Sequence, residues 1–305
     1  GRRCEVGNLD VKESKHSTKS RRKEKDMKKS VFKVLVVLAM IAGMVGLLAT
    51  CSQAPKEQAQ VTQENLVDRI MKRGVLKVGL DIFVPWSFKD KDGNMVGFEV
   101  DVASKLAEDM GVEVEFVPTE WSGIIPALLT GKFDVIIGGM GITTERALKV
   151  NYSIPYEYSG MDCVVSRAML PGATSLEDLN KENVIIAVRM GGTPTAAAKK
   201  FTPKAQLHQF DSDEAVIQDV LNGNAHAAFS SSPKPAYWAV DYADKVYQPL
   251  KGELFTKEPS GFVVPKGDPD AIFFFNSWIT DNQDWLKDRS DYWYGTKDWE
   301  YLLPE

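Results

Sequence analysis

Residues 121–156 read WSGIIPALLTGKFDVIIGGMGITTERALKVNYSIPY, and this stretch decides the fold. Ser122 to Thr130 has the apolar spacing of a short helix, with Pro126 inside its first turn or so. Val135 to Gly139 opens with an apolar run too short for a helix, as a buried strand requires. Glycines follow, and Thr143 then offers a cap to a helix beginning at Thr144, with Arg146 in its first turn. Strand, glycine turn and helix in succession are the unit of an α/β sheet.

The same alternation continues in both directions. Leu76 to Leu80 reads as a short strand. Glu99 to Met110 reads as an amphipathic helix, with Val102, Leu106 and Met110 on one face and Gly111 as its stop. Val112 to Val117 alternates apolar and acidic residues, giving a half-exposed strand. The pattern restarts with a strand at Val184–Val188, a helix from Pro194, a helix near Asp213–Leu221 and a strand near Ala225–Ser230. A βα pattern run twice predicts an α/β fold with parallel-type sheets flanked by helices. Ligands of such sheets bind beyond the carboxyl ends of the strands. That places the candidate chemistry at 81–86, 120–123, 138–146, 189–194 and 230–232. Two of these segments have the design of an anion site. Arg146 offers a carboxylate a two-point hydrogen bond. Thr193 reads as an N-cap with Pro194 at N1, and backbone N–H groups at a helix start attract negative charge.

The chain has 305 residues, with 37 basic and 42 acidic groups. Residues 1–33 carry 12 of the basic groups and 5 of the acidic ones, so the remaining body is acidic, which excludes a general nucleic-acid binder. About 255 residues follow Cys51, enough for two lobes. Val34 to Thr50 is free of charge, follows Met27-Lys28-Lys29 and ends at Cys51. It is short for a membrane span and reads as a secretory signal peptide, residues 27–50. Residues 1–26 read as an upstream leader, and polar residues 51–65 as a tether. Cys4, Cys51 and Cys163 are the only cysteines and His16, His208 and His226 the only histidines, which gives no zinc set. No metal or cofactor is implied. Cys163 reads as a small core residue, and the seven-residue spacing of Trp278 and Trp285 as core packing.

Leu48-Ala49-Thr50-Cys51 resembles a bacterial lipobox, with Thr50 a departure, so lipidation at Cys51 and anchorage to a bacterial membrane, in the periplasm or on the outer surface, are expected. Residues 83–112, 121–156, 184–201 and 261–267 together resemble the extracytoplasmic solute-binding proteins of polar amino-acid ABC transporters. The succession of strand, Thr143-Thr144-Glu145-Arg146 and Asn151–Tyr156 is the most specific part. The resemblance implies a two-lobe Venus flytrap fold with two hinge crossings. Residues 66–160 and 259–305 would form the first lobe, and 161–258 the second. It implies a small-molecule ligand, an amino acid or related carboxylate, and an ABC permease as partner, without catalysis. Arg146 would grip the ligand carboxylate between the aromatic walls Phe83 and Trp121. Gly139 and Gly141 would line the backbone edge at the polar end. Gly192 and Thr193 would close from the second lobe, and Arg189 would reach the ligand's side chain.

The departures concern the amine. Ser231 stands where the resemblance expects an Asp for the ligand's α-ammonium, and Gly141 where many members carry a hydroxyl. Either another acid, Asp81 or Glu120, takes the ammonium, or the ligand lacks one. The competing function is an exported cyclohexadienyl dehydratase-like enzyme, whose Gly-Gly-Thr turn Gly191-Gly192-Thr193 matches. The acid expected soon after the Thr is replaced by Pro194-Thr195-Ala196.

Overall fold

The computed structural model describes residues 64–304, together with Met27. The expected leader, signal peptide and tether up to residue 63, Cys51 among them, lie outside the described residues.

The first run of elements is α1 (Leu66–Arg73), β1 (Val75–Leu80), the short hairpin β2 (Phe88–Lys89) and β3 (Met95–Val96), α2 (Phe98–Met110), β4 (Glu113–Pro118), α3 (Ile124–Leu129), β5 (Val135–Ile136), α4 (Thr144–Ala147) and β6 (Asn151–Tyr152). The strand β7 (Glu157–Ser159) then leads into β8 (Met161–Ser166), α5 (Leu176–Leu179), β9 (Ile185–Arg189), α6 (Thr193–Phe201), β10 (Gln206–Phe210), α7 (Asp213–Leu221), β11 (Ala227–Ser231), α8 (Lys234–Asp241) and β12 (Val246–Tyr247). The chain returns through β13 (Glu258–Ser260) to β14 (Val263–Val264), α9 (Pro269–Asp281) and α10 (Gln283–Gly295).

The strands build two lobes around two five-stranded sheets, ordered β4-β1-β5-β14-β6 and β10-β9-β11-β8-β12. In each, four strands share one direction and the fourth in order, β14 or β8, runs against them. The expected parallel-type sheets are thus mixed, and the reason is the crossing. Parallel strands end at the cleft face. A chain arriving from the other lobe starts at that face, so the strand it contributes, β14 or β8, must run the opposite way. The crossing strands β7 and β13 pair with each other, Pro259 opposite Tyr158.

Burial follows the sequence pattern. Leu76 and Val78 of β1 and Phe98, Val102 and Leu106 of α2 are fully buried in one core. Each such side chain contributes about 1.5–3 kcal/mol on burial. Gly111 ends α2 in the left-handed conformation at φ 68°. The tail aromatics join this core: Trp278, Trp293 and Trp299 are buried, and Trp285 packs half-buried against them. Cys163 is buried in the second lobe's core. Several boundaries moved. The helix expected from Ser122 is a 3₁₀ turn, Trp121–Gly123, followed by α3. The expected strand at Val135–Gly139 pairs only over β5, because Gly139 turns to φ 64°. The cap of α6 is Gly192, so Thr193 is its first helical residue and not its cap.

Candidate functional site

The loop after β1 folds back on itself. Phe83 N–H donates to the Ser87 carbonyl at 2.7 Å, and Ser87 N–H returns the bond at 2.9 Å. This presents the Phe83 ring stacked on Trp86, centroids 4.4 Å apart. Trp121 comes from the 3₁₀ turn beyond β4. The Arg146 guanidinium lies 5.6 Å from its ring centroid. Thr143 caps α4 as expected, its hydroxyl accepting Arg146 N–H at 3.2 Å. That cap sets where Arg146 stands. Its Nη1 donates to the Gly141 carbonyl at 2.9 Å, and its Nη2 donates across the cleft to the Gly191 carbonyl at 3.2 Å. A guanidinium has five N–H donors, so others remain for a ligand.

Gly139 and Gly141 are glycines for different reasons. A Cβ at Gly139 would come within 2.9 Å of the Trp86 ring, on a backbone at positive φ. Its N–H donates to the Tyr156 hydroxyl at 3.0 Å, so it is not available at the ligand edge expected of it. At Gly141 a Cβ would point into the cleft, 3.3 Å from Thr193 Cγ2, 3.7 Å from Arg146 Nη1 and 3.9 Å from Glu258 Oε2.

From the second lobe, Arg189 leaves the end of β9 and crosses to the first. Its Nη2 pairs with Asp81, its Nη1 lies 3.8 Å from Asp213, and its Nε donates to the Asp211 carbonyl at 3.1 Å. Asp213 also accepts the Ser230 hydroxyl at 2.6 Å. Burial pushes the Asp81 carboxyl up to about 6 against the pull of Arg189, and pushes Asp213 up as well, against Ser230 and Arg189. Arg189 thus lines the cavity while held by protein carboxylates on both sides.

A single cavity of about 640 Å³, counted out through its mouth, gathers Phe83, Trp121, Gly139, Gly141, Arg146, Arg189, Gly192, Thr193 and Ser231. All nine residues expected at the site line it. So do groups that the sequence did not single out as ligand contacts, Trp86, Asp213, Ser230 and Glu258 among them. Asp81, one acid considered for the ammonium, lines the cavity but is tied to Arg189. Glu120, the other, is exposed on a neighbouring rim. Asp213 had no signal beyond an acid in the first turn of a helix, which normally reads as a complement to the helix dipole. Glu258 lay beside the expected crossing, where its type carries no message.

Behind the cavity wall lies a second set of acids. Glu99 Oε2 accepts the Tyr156 hydroxyl at 2.6 Å, and Glu157 is 5% exposed with no hydrogen bond of good geometry to either oxygen. Burial and the Glu157 charge hold Glu99 well above the carboxylate range. Burial also pushes Glu157 up to about 7, with Tyr294 and Trp86 pulling the other way.

A profile of the bacterial extracellular solute-binding proteins, family 3, matches residues 76–296. The L-cystine-binding protein TcyJ of Escherichia coli K12 is 29% identical over 257 residues, 83% of this chain and 94% of its own. The cyclohexadienyl dehydratase of Pseudomonas aeruginosa is 29% identical over 210 residues, 64% of this chain and 78% of its own. Among solved structures, the ancestral amino acid-binding protein AncCDT-1, a precursor of cyclohexadienyl dehydratase, aligns with a TM-score of 0.68 at 42% identity, over 75% of this chain and 99% of its own. A second structure of AncCDT-1, described as an ancestral cationic amino acid solute-binding protein, gives 0.60 at 43%. With the profile match spanning 76–296, most of its length, this chain belongs to the bacterial extracellular solute-binding proteins, family 3.

Proposed function

We propose that this chain is an extracytoplasmic, lipid-anchored binding protein that captures an α-amino acid between its lobes and hands it to an ABC permease. Arg146 grips the ligand carboxylate, Phe83 and Trp121 wall it, and Gly192 and Thr193 close over it. The observation that carries this reading is the placement of Arg146: fixed by its own cap, stacked on Trp121, and bonded across the cleft to the Gly191 carbonyl. The charge lining the cavity narrows the ligand. Asp81, Asp213 and Glu258 outnumber Arg146 and Arg189 by one. An α-amino acid with a cationic side chain balances that excess, and one with an acidic side chain adds to it. The dehydratase reading is disfavoured by Pro194-Thr195-Ala196, which supplies no acid after the turn.

A thermal-shift screen of L-arginine, L-lysine, L-cystine and L-glutamate tests the class. A ligand at 100 times its Kd stabilises by about 2.7 kcal/mol. L-Arginine or L-lysine is expected to shift the protein and L-glutamate not to. Arg146→Ala should weaken binding at least about tenfold by calorimetry, the loss of one charge-assisted contact. Unchanged affinity in a folded variant would remove Arg146 from the site. Lipidation is tested separately by expressing wild type and Cys51→Ser in a bacterial host. Wild type alone should take up labelled fatty acid and remain with membranes, and identical behaviour of the two would refute the anchor.

A further inference from the structure

The cavity has a carboxylate grip, while the position expected to hold the amine carries only Ser231. Burying an ammonium without an opposite charge costs several kcal/mol. Of the three carboxylates that line the cavity, Asp81 and Asp213 are both engaged by Arg189. Glu258 is not. Its Oε1 accepts the Thr256 hydroxyl at 3.2 Å, and among the described residues no cation pairs with it.

Three features aim Glu258 at the ligand. Side chains alternate along a strand, so Glu258 and Ser260 of β13 face the cavity while Pro259 between them does not. The strand is held on both edges: by β7, and by the segment that carries Gly141, through Ile142 N–H to the Pro259 carbonyl at 2.8 Å and Gly261 N–H to the Met140 carbonyl at 3.3 Å. Finally, the point where a Gly141 Cβ would stand lies 3.7 Å from Arg146 Nη1 and 3.9 Å from Glu258 Oε2. Arg146 and Glu258 therefore stand close together beside Gly141, and an α-amino acid, which bears its carboxylate and ammonium on one carbon, needs its two receiving charges close together.

Resting on the reading of the cavity as an amino-acid site, we infer that Glu258 on the second crossing pairs with the ligand's α-ammonium, the charge having moved from the end of β11 to the hinge. Gly141 puts no side chain of its own between Arg146 and Glu258. Both charges of that headgroup are then received by one lobe and the crossing, before the second lobe closes.

The test uses two matched pairs: L-arginine with 5-guanidinopentanoate, and L-lysine with 6-aminohexanoate. The second member of each lacks only the α-amino group. Calorimetry on wild type, Glu258→Gln and Glu258→Gln/Ser231→Asp measures the preference for the amine, with thermal unfolding confirming that each variant is folded. Wild type should prefer the amino acid by about 100-fold or more, as expected for a buried ion pair. Glu258→Gln should cut that preference below tenfold while leaving the des-amino compounds almost unaffected. Adding Ser231→Asp should restore part of it. An undiminished preference in Glu258→Gln, or none in wild type, overturns the inference alone. Binding of no member of either pair by folded wild type overturns the functional reading, and this inference with it.

Discussion

Two pairs of buried acids stand on either side of the cavity wall, and they have opposite solutions to the same problem. In the cleft, Asp81 and Asp213 share Arg189. Behind the wall, Glu99 and Glu157 share no cation among the described residues, only Tyr156 and the neighbouring Tyr294 and Trp86. Two like charges in low dielectric are tolerated only if a counter-charge arrives or a proton stays. The cleft pair takes the first course and becomes a clasp between lobes. The inner pair takes the second and keeps a proton near neutrality.

Removing the cation is the severest way to break that contrast. Arg189→Met leaves Asp81 and Asp213 buried without their partner, and loss of one member of a buried pair costs about 3–5 kcal/mol. Denaturant unfolding at pH 7 should show a loss of that size, with part of it recovered at pH 5 as Asp81 takes a proton. A variant as stable as wild type would mean that the clasp contributes nothing.

A smaller effect separates the two pairs by pH. Glu157 keeps its proton up to about 7 when folded and loses it near 4.5 when unfolded. The folded state therefore binds the extra proton between those values, and stability falls as pH rises through that window and levels off above it. With each pH unit worth about 1.4 kcal/mol, the loss reaches roughly 3.5 kcal/mol. Glu157→Gln keeps the shape without the titration. Its unfolding free energy should decline less between pH 5 and pH 8 than that of wild type. Parallel declines would place the proton elsewhere.

Much of the framework was legible because it rests on local pattern. The apolar run of β1, the i,i+4 face of α2 and its Gly111 stop, and the Thr143 cap need no distant partner to be recognised. The nine cavity residues came from resemblance joined to the strand-end rule. What escaped depends on contacts far apart in sequence. Arg189 looked free because Asp81 lies 108 residues away. Gly139 was expected only on the backbone edge at the ligand, because Tyr156, which takes its N–H, is brought under it only by folding. The mixed sheets escaped for the same reason: strand direction is set by the crossings, which residue type does not encode.

The strand order also has a consequence for how the molecule is made. The second sheet is complete within one uninterrupted stretch, from Met161 to Tyr247. The first is not. Its β6 pairs only with β14, which the chain supplies after the whole second sheet has passed. As residues emerge in order, the second lobe can close its hydrogen-bond ladder while the first still exposes an open strand edge. Non-local pairing of this kind is slow and leaves such edges prone to misassociation. The earliest segment of the folded body is thus among the last to be completed.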